Sequence, residues 1–226
     1  MTSGTSSGAT LLVLAKAPIA GFAKTRLTPP LTPREAALVA AASLLDTLES
    51  VLRSQVTHRV VAFTGNLRAA ERGPEIARML DRFSVIPQRG ADFGIRLANA
   101  HADAACFGTP VLQIGMDTPQ IGPDVLTRAA TQLATGETAV LGPAADGGWW
   151  ALGLPTPQPA RVLADVPMST NRTGELTRAA LVSCGLQVDN LPRFRDVDSF
   201  DDAVRVAADS GGRFADTVHR MSLVPR

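Results

Sequence analysis

Pro110-Val111-Leu112-Gln113-Ile114-Gly115-Met116-Asp117-Thr118-Pro119 is the stretch on which the fold turns. Its first half is a short apolar run, which reads as a buried strand. Gly115 and Pro119 punctuate the second half and end that strand in a turn. One carboxylate, Asp117, is left at the strand's carboxyl end. Open α/β sheets bind their ligands at that edge. A carboxylate fixed there is placed to carry a divalent metal and, through it, the phosphates of a nucleotide. Asp is also a common turn former, so an ordinary turn residue is the alternative.

Outward from this stretch, strands and helices alternate. Leu11-Leu12-Val13-Leu14-Ala15 is a continuous apolar run, as a central parallel strand requires. Thr32-Pro33-Arg34-Glu35 is a helix start, with Thr32 as N-cap, Pro33 in the first position and Glu35 closing a capping box. The helix runs to about Arg53. Strands follow at His58 to Thr64 and Phe83 to Pro87, with a short helix near Glu75 to Asp81 between them. A Gly-punctuated loop from Gln88 enters the next helix. Beyond Asp117, a helix from about Gly122 to Leu133 leads to a strand at Thr138 to Leu141. The polar segment Asp165 to Thr173 opens a helix to about Val182, capped by Ser169, Thr170 or Asn171. Leu186 to Leu191 is the last strand. This spacing is that of βαβ units and predicts one three-layer α/β/α domain with a mostly parallel sheet. The domain spans residues 11–210. Residues 1–10, rich in Ser, Gly and Thr, read as a disordered tail, and the weakly patterned residues 211–226 as a C-terminal tail. There is no internal repeat and no interior linker.

Composition excludes several classes. The 226 residues are 45% hydrophobic, enough for a sizeable core, and 22 Lys+Arg against 21 Asp+Glu leave a net charge of +1. That balance predicts no nucleic-acid partner. Cys106 and Cys184 form neither a disulfide framework nor a zinc pattern, so a cytoplasmic setting is expected. No apolar run reaches the ~18 residues of a membrane span, and the N-terminus lacks the basic region of a signal peptide. The three histidines, His58, His101 and His219, make no zinc motif. Neither a Gly-x-Ser-x-Gly elbow nor a dinucleotide fingerprint is present.

Three further stretches carry chemistry. Lys16-Ala17-Pro18-Ile19-Ala20-Gly21-Phe22-Ala23-Lys24-Thr25-Arg26-Leu27 follows the first strand as a loop. It offers free backbone N–H groups, a glycine for close approach and three cations, which suits phosphate, although it is not a Walker loop. A solvated basic loop is the alternative. Gly142-Pro143-Ala144-Ala145-Asp146-Gly147-Gly148-Trp149-Trp150 presents a second carboxylate. Its indoles alternate faces if they start a strand, one for the core and one for a pocket wall. Arg195-Asp196-Val197-Asp198-Ser199-Phe200-Asp201-Asp202 opens a helix through Ser199 and Asp202, leaving Asp198 as a carboxylate just outside it.

In one order, then, come Lys-Ala-Pro-x-x-Gly-x-x-Lys-Thr-Arg-Leu, Gly-Met-Asp-Thr-Pro, Gly-Pro-Ala-x-Asp-Gly-Gly-Trp-Trp, Met-Ser-Thr and Asp-Val-Asp-Ser-x-Asp-Asp. Over residues 11 to 208 the chain resembles small bacterial glycosyltransferase-like proteins, the radical-SAM/selenodomain-associated transferases. More distantly it is similar to nucleotidyltransferases that make phospholactate-guanosine or attach guanylate to the molybdenum cofactor. It departs from its relatives in lacking their acidic residue at Ile95 and their aromatic at Met168. The resemblance implies a GT-A fold of the nucleotide-diphospho-sugar transferase type. It implies that Lys24 and Arg26 neutralise nucleotide phosphates, with Ala17, Pro18 and Gly21 lining the base or ribose and Gln88 and Gly90 completing the nucleotide site. Asp117 and Asp198 would share Mg²⁺ or Mn²⁺. Asp146, with Gly147, Gly148 and Trp149, would face a small-molecule acceptor, and Asp146 is the candidate general base. The expected reaction is transfer of a glycosyl group from a nucleotide-sugar. The next reading is nucleotidyl transfer from a nucleoside triphosphate, and the third a non-catalytic nucleotide-binding module. An oligomer is left open.

Overall fold

β1 (Ser7–Lys16) and β4 (Val111–Gly115) run side by side and parallel near the middle of a seven-stranded sheet. The computed structural model describes residues 7–223. The remaining strands are β2 (Val56–Thr64), β3 (Ser84–Pro87), β5 (Ala139–Pro143), β6 (Trp149–Leu154) and β7 (Val188–Asn190), in the order β3-β2-β1-β4-β6-β5-β7. β6 is antiparallel to both its neighbours, while the other pairs are parallel. The regular βαβ pattern therefore has one exception. Residues 144–148 alone join β5 to β6, too short for a crossover helix, so the chain folds straight back as a hairpin.

Alternation along β1 fills both faces. Leu11 and Val13 pack with α1 (Pro33–Arg53), α2 (Gly73–Leu80) and α4 (Pro123–Thr135). Leu12 and Leu14 pack on the other side with α3 (Phe93–Ala104), α5 (Thr173–Ser183) and a 3-10 stretch, Gln158–Ala164, that the sequence did not announce. α1 begins with the expected capping box of Thr32 and Glu35. α5 begins at Thr173 without a side-chain cap. The Thr173 hydroxyl instead donates to the Pro167 carbonyl at 2.9 Å.

Both ends differ from expectation. Ser7 to Thr10, assigned above to a disordered tail, belong to β1, where Thr10 pairs with His58 and Val111. Residues 1–6 lie outside the described residues. Residues 211–226, set apart as a tail, contain α7 (Gly212–Ser222), which packs with α6 (Phe200–Ala208) on the outer side of α1. Phe214, Val218 and Met221 form its buried stripe at helical spacing. Its first turn is capped from a distance: the Asp46 carboxylate on α1 accepts from the N–H groups of Arg213 and Phe214 at 3.2 and 2.7 Å.

The strand order positions the site. The chain moves outward from β1 through β2 to β3, then returns to lay β4 on the other side of β1. That reversal is the switch point at which open α/β sheets leave a crevice beyond the carboxyl ends of their strands. Lys16 and Gly115 stand on its two lips.

Candidate active site

The crevice is a cavity of about 500 Å³, within the range of small-molecule sites. The ends of β1, β2 and β4 line it with Lys16, Thr64 and Gly115. The β5–β6 turn adds Asp146 and Gly148, and the segment after β7 adds Asp196 and Asp198.

Charged groups interlock across it. Lys24 sits in a left-handed backbone conformation at φ 53° and turns its side chain inward, where it is only 8% exposed. Its ammonium lies 2.8 Å from Asp117 Oδ1 and donates as well to the Val197 carbonyl. The Val197 N–H donates to the Asp117 carbonyl at 3.0 Å. Residue 117 and the segment before α6 are thus tied together, with Lys24 as the tie. Arg26 Nη1 pairs with Asp198 Oδ2 at 2.9 Å. The two cations expected on phosphates and the two carboxylates expected on a metal hold one another.

Asp198 also belongs to an acidic group. Asp146, Asp196 and Asp198 each offer a carboxylate oxygen, and these lie within 4.8 Å of one another; Asp117 stands outside the group. Burial pushes the Asp196 carboxyl up to about 6, helped by the charges of Asp146 and Asp198 and opposed by Lys24. Carboxylates gathered this closely without a full complement of counter-charges fit a divalent cation, whose charge would relieve the repulsion.

The other expected residues divide into those on the cavity and those behind it. Gln88 lines the cavity and is fixed by its amide NH₂, which donates to the carbonyls of Ala15 and Ala62 at 2.9 Å each. Gly90 packs behind it against Ile95. Ala17 donates its N–H to Thr64, the Pro18 carbonyl accepts from Glu71, and neither they nor Gly21 are among the residues lining the cavity. Trp149 is a cavity wall whose Nε1 donates to Thr177 of α5 at 3.2 Å. Trp150 lies mainly in the core, edge-on to Phe194, although part of it also reaches the cavity. The Gly148 N–H donates to Asp146 Oδ1 at 2.7 Å and aims that carboxylate. Gly147, at φ 91°, passes so close to the Asn171 carbonyl that a Cβ would fall 2.0 Å from it, so its role is in the backbone.

Sequence reasoning passed over Asp196, Arg96 and Gln113. The signal for Asp196 was present: in an extended Asp-Val-Asp, residues 196 and 198 share a side while Val197, fully buried, takes the other. Gln113 sat in plain view as the polar member of an otherwise apolar strand. Arg96 had no local signal beyond its place in the first turn of a helix entered from a Gly-rich loop.

Comparison with known proteins places the chain in a family and a fold. Residues 47–170 match the family DUF2064, described as an uncharacterized protein conserved in bacteria. A phosphoenolpyruvate guanylyltransferase of Streptosporangium roseum is 33% identical over 208 residues, 89% of this chain and 86% of that protein. A protein of Desulfovibrio desulfuricans G20, described as a nucleotide-diphospho-sugar transferase, superposes with a TM-score of 0.80 at 22% identity, over 95% of this chain and 98% of that one. Rv0371c of Mycobacterium tuberculosis H37Rv, solved as a manganese complex, superposes with a TM-score of 0.53 at 20% identity, over 88% and 97%. The fold is that of the nucleotide-diphospho-sugar transferases and nucleotidyltransferases, GT-A-like, as expected. No helix among the described residues is long and apolar enough to cross a membrane.

Proposed function

Since the chain belongs to the DUF2064 family, we propose that it is a metal-dependent nucleotidyltransferase that moves a nucleotidyl group from a nucleoside triphosphate to a small anionic acceptor. The observation that carries this reading is the 33% identity to a guanylyltransferase across nearly the whole chain. It reverses the order set by the sequence, in which glycosyl transfer came first. Lys16, Lys24 and Arg26 line the cavity together with four carboxylates, a pairing that suits a triphosphate carried with a divalent ion. Glycosyl transfer remains the second reading, supported by the likeness to the Desulfovibrio protein.

In the proposed reaction an acceptor oxyanion attacks the α-phosphorus. The bond from that phosphorus to the oxygen bridging to the β-phosphate breaks, and diphosphate leaves with the electron pair. Asp198, Asp196 and Asp146, with Asp117 at the neighbouring strand end, would hold Mg²⁺ or Mn²⁺; the manganese complex of Rv0371c supports the choice of ion. A bound divalent ion supplies charge stabilisation for the leaving diphosphate. Lys24 and Arg26 exchange their carboxylate partners for phosphate oxygens, and the loop that carries Ala17, Pro18 and Gly21 flanks the nucleoside with Gln88. An acceptor already ionised at its attacking oxygen needs no general base, which leaves Asp146 to orient rather than to remove a proton.

A thermal-shift screen with and without Mg²⁺, followed by assay of diphosphate release, tests the reading. GTP is expected to give the largest Mg²⁺-dependent shift and to release diphosphate when phosphoenolpyruvate is added. A shift confined to nucleotide-sugars would overturn nucleotidyl transfer in favour of glycosyl transfer. Binding without turnover of either pair would favour a non-catalytic module.

A further inference from the structure

We propose that Arg96, backed by Gln113, is the seat of a carboxylate on the acceptor, so that the acceptor is a small acid bearing a carboxylate apart from its reacting oxyanion. The proposal rests on the nucleotidyl-transfer reading and adds the group by which the acceptor is recognised.

Four cations line the cavity, and three are engaged. Lys24 pairs with Asp117, Arg26 pairs with Asp198, and Lys16 Nζ donates to the Phe22 carbonyl at 3.1 Å. Arg96 has no carboxylate partner among the described residues. Its Nε is buried and meets no acceptor. Its guanidinium carbon lies over the Phe93 ring, 5.9 Å from the centre, a cation–π contact that supplies no oxygen acceptor to its N–H groups.

Gln113 repeats the pattern in the floor. It is fully buried on β4, lines the same cavity, and its Nε2 has no partner. Its other amide atom is taken, because Oε1 lies 3.2 Å from His101 Nδ1. His101 is itself fully buried on α3. With its Nδ1–H donating to Oε1, the amide NH₂ is the half of Gln113 left without a partner. A buried donor left without an acceptor is costly, and native structures seldom keep one without a use. Two on one cavity ask for a ligand that only accepts.

Carboxylate and phosphate both fit that description, and the position of the chemistry separates them. The reacting oxyanion must meet the α-phosphate beside Asp146, Asp196 and Asp198, which come from the β5–β6 turn and the segment after β7. Arg96 comes from α3, a different wall. The group it holds is the one that does not react. A planar fork matches a planar carboxylate in a bidentate pair.

The test is calorimetric titration of the whole protein with phosphoenolpyruvate, pyruvate and inorganic phosphate, without nucleotide and then with GTP and Mg²⁺. Arg96→Gln is expected to weaken phosphoenolpyruvate about ten- to hundredfold, the worth of one charged hydrogen bond, while GTP affinity stays unchanged. Gln113→Leu is expected to weaken it less. Pyruvate should compete with phosphoenolpyruvate better than inorganic phosphate does. Should Arg96→Gln fail to fold, Arg96→Lys keeps the charge without the fork and should still lose affinity. Unchanged phosphoenolpyruvate affinity in a folded variant overturns the proposal, as does competition by phosphate rather than pyruvate. A wild-type protein that binds none of the three anions overturns it too. Failure of GTP alone to bind strikes the nucleotidyl reading instead, because the titration without nucleotide still judges Arg96.

Discussion

Asp196 is the residue whose chemistry differs most from its appearance in the sequence. Its carboxyl, ordinarily near 3.8, is pushed up to about 6 by burial and by Asp146 and Asp198. The folded protein therefore holds this proton more tightly than the unfolded chain. The stabilising contribution is complete below about pH 4 and is lost as pH rises through about 6. In wild-type protein, then, stability should fall across that window relative to Asp196→Asn, and added Mg²⁺ should flatten the fall. Urea midpoints of both proteins at about pH 4 and about pH 7, with and without Mg²⁺, measure it; a constant offset between them would refute the assignment. The same neighbourhood marks how far single residues can be read. Asp117 and Asp146 were legible as carboxylates beside glycine or proline, Lys24 and Arg26 as cations in the loop after the first strand, and Asp198 as a carboxylate just outside a helix that Ser199 caps. That Lys24 would spend its charge on Asp117 and the Val197 carbonyl was not, because the pairing joins segments distant in sequence.

Helices and strands were legible in proportion to how locally they are determined. The capping boxes of α1 and α6 lie within four consecutive residues each, and both formed as read. β6 went against the parallel pattern because the length of its turn, not its own composition, sets its direction. α7 escaped notice because Gly211 offers no side chain to cap it and the cap comes from Asp46, 167 and 168 positions away. The dependence is testable. Asp46→Ala removes the acceptor for two N–H groups and one partner of Arg213, whose Nη1 lies 3.1 Å from Asp46 Oδ1. An N-cap deletion costs about 0.5–2 kcal/mol, and urea denaturation should show a loss at the upper end. Hydrogen exchange should localise it to α7 and α6. A variant as stable as wild type would mean that helix packing alone holds α7 in place.

For the whole molecule, the sheet decides where chemistry occurs and the loops decide which chemistry. The reversal between β1 and β4 opens the crevice, and apart from Lys16 at the end of β1 its charged walls are loops or a helix start. Such a site contributes little to stability until it is filled. Nucleotide with Mg²⁺ at about one hundred times its dissociation constant should add about 2.7 kcal/mol to the unfolding free energy. Chelation with EDTA should remove most of that gain. A nucleotide shift that survives EDTA intact would separate the acidic group from nucleotide binding. Fold class was within reach of the sequence because hydrophobic periodicity is a repeated signal, whereas a site assembled from five segments is written only once in each. The last of those segments has a temporal meaning. Asp196 and Asp198 leave the ribosome after all seven strands have been made. A nascent chain can therefore complete its sheet before it owns the acidic group. A message cut short ahead of codon 196 would still encode every strand, together with Lys24, Arg26, Asp117 and Asp146, but neither Asp196 nor Asp198.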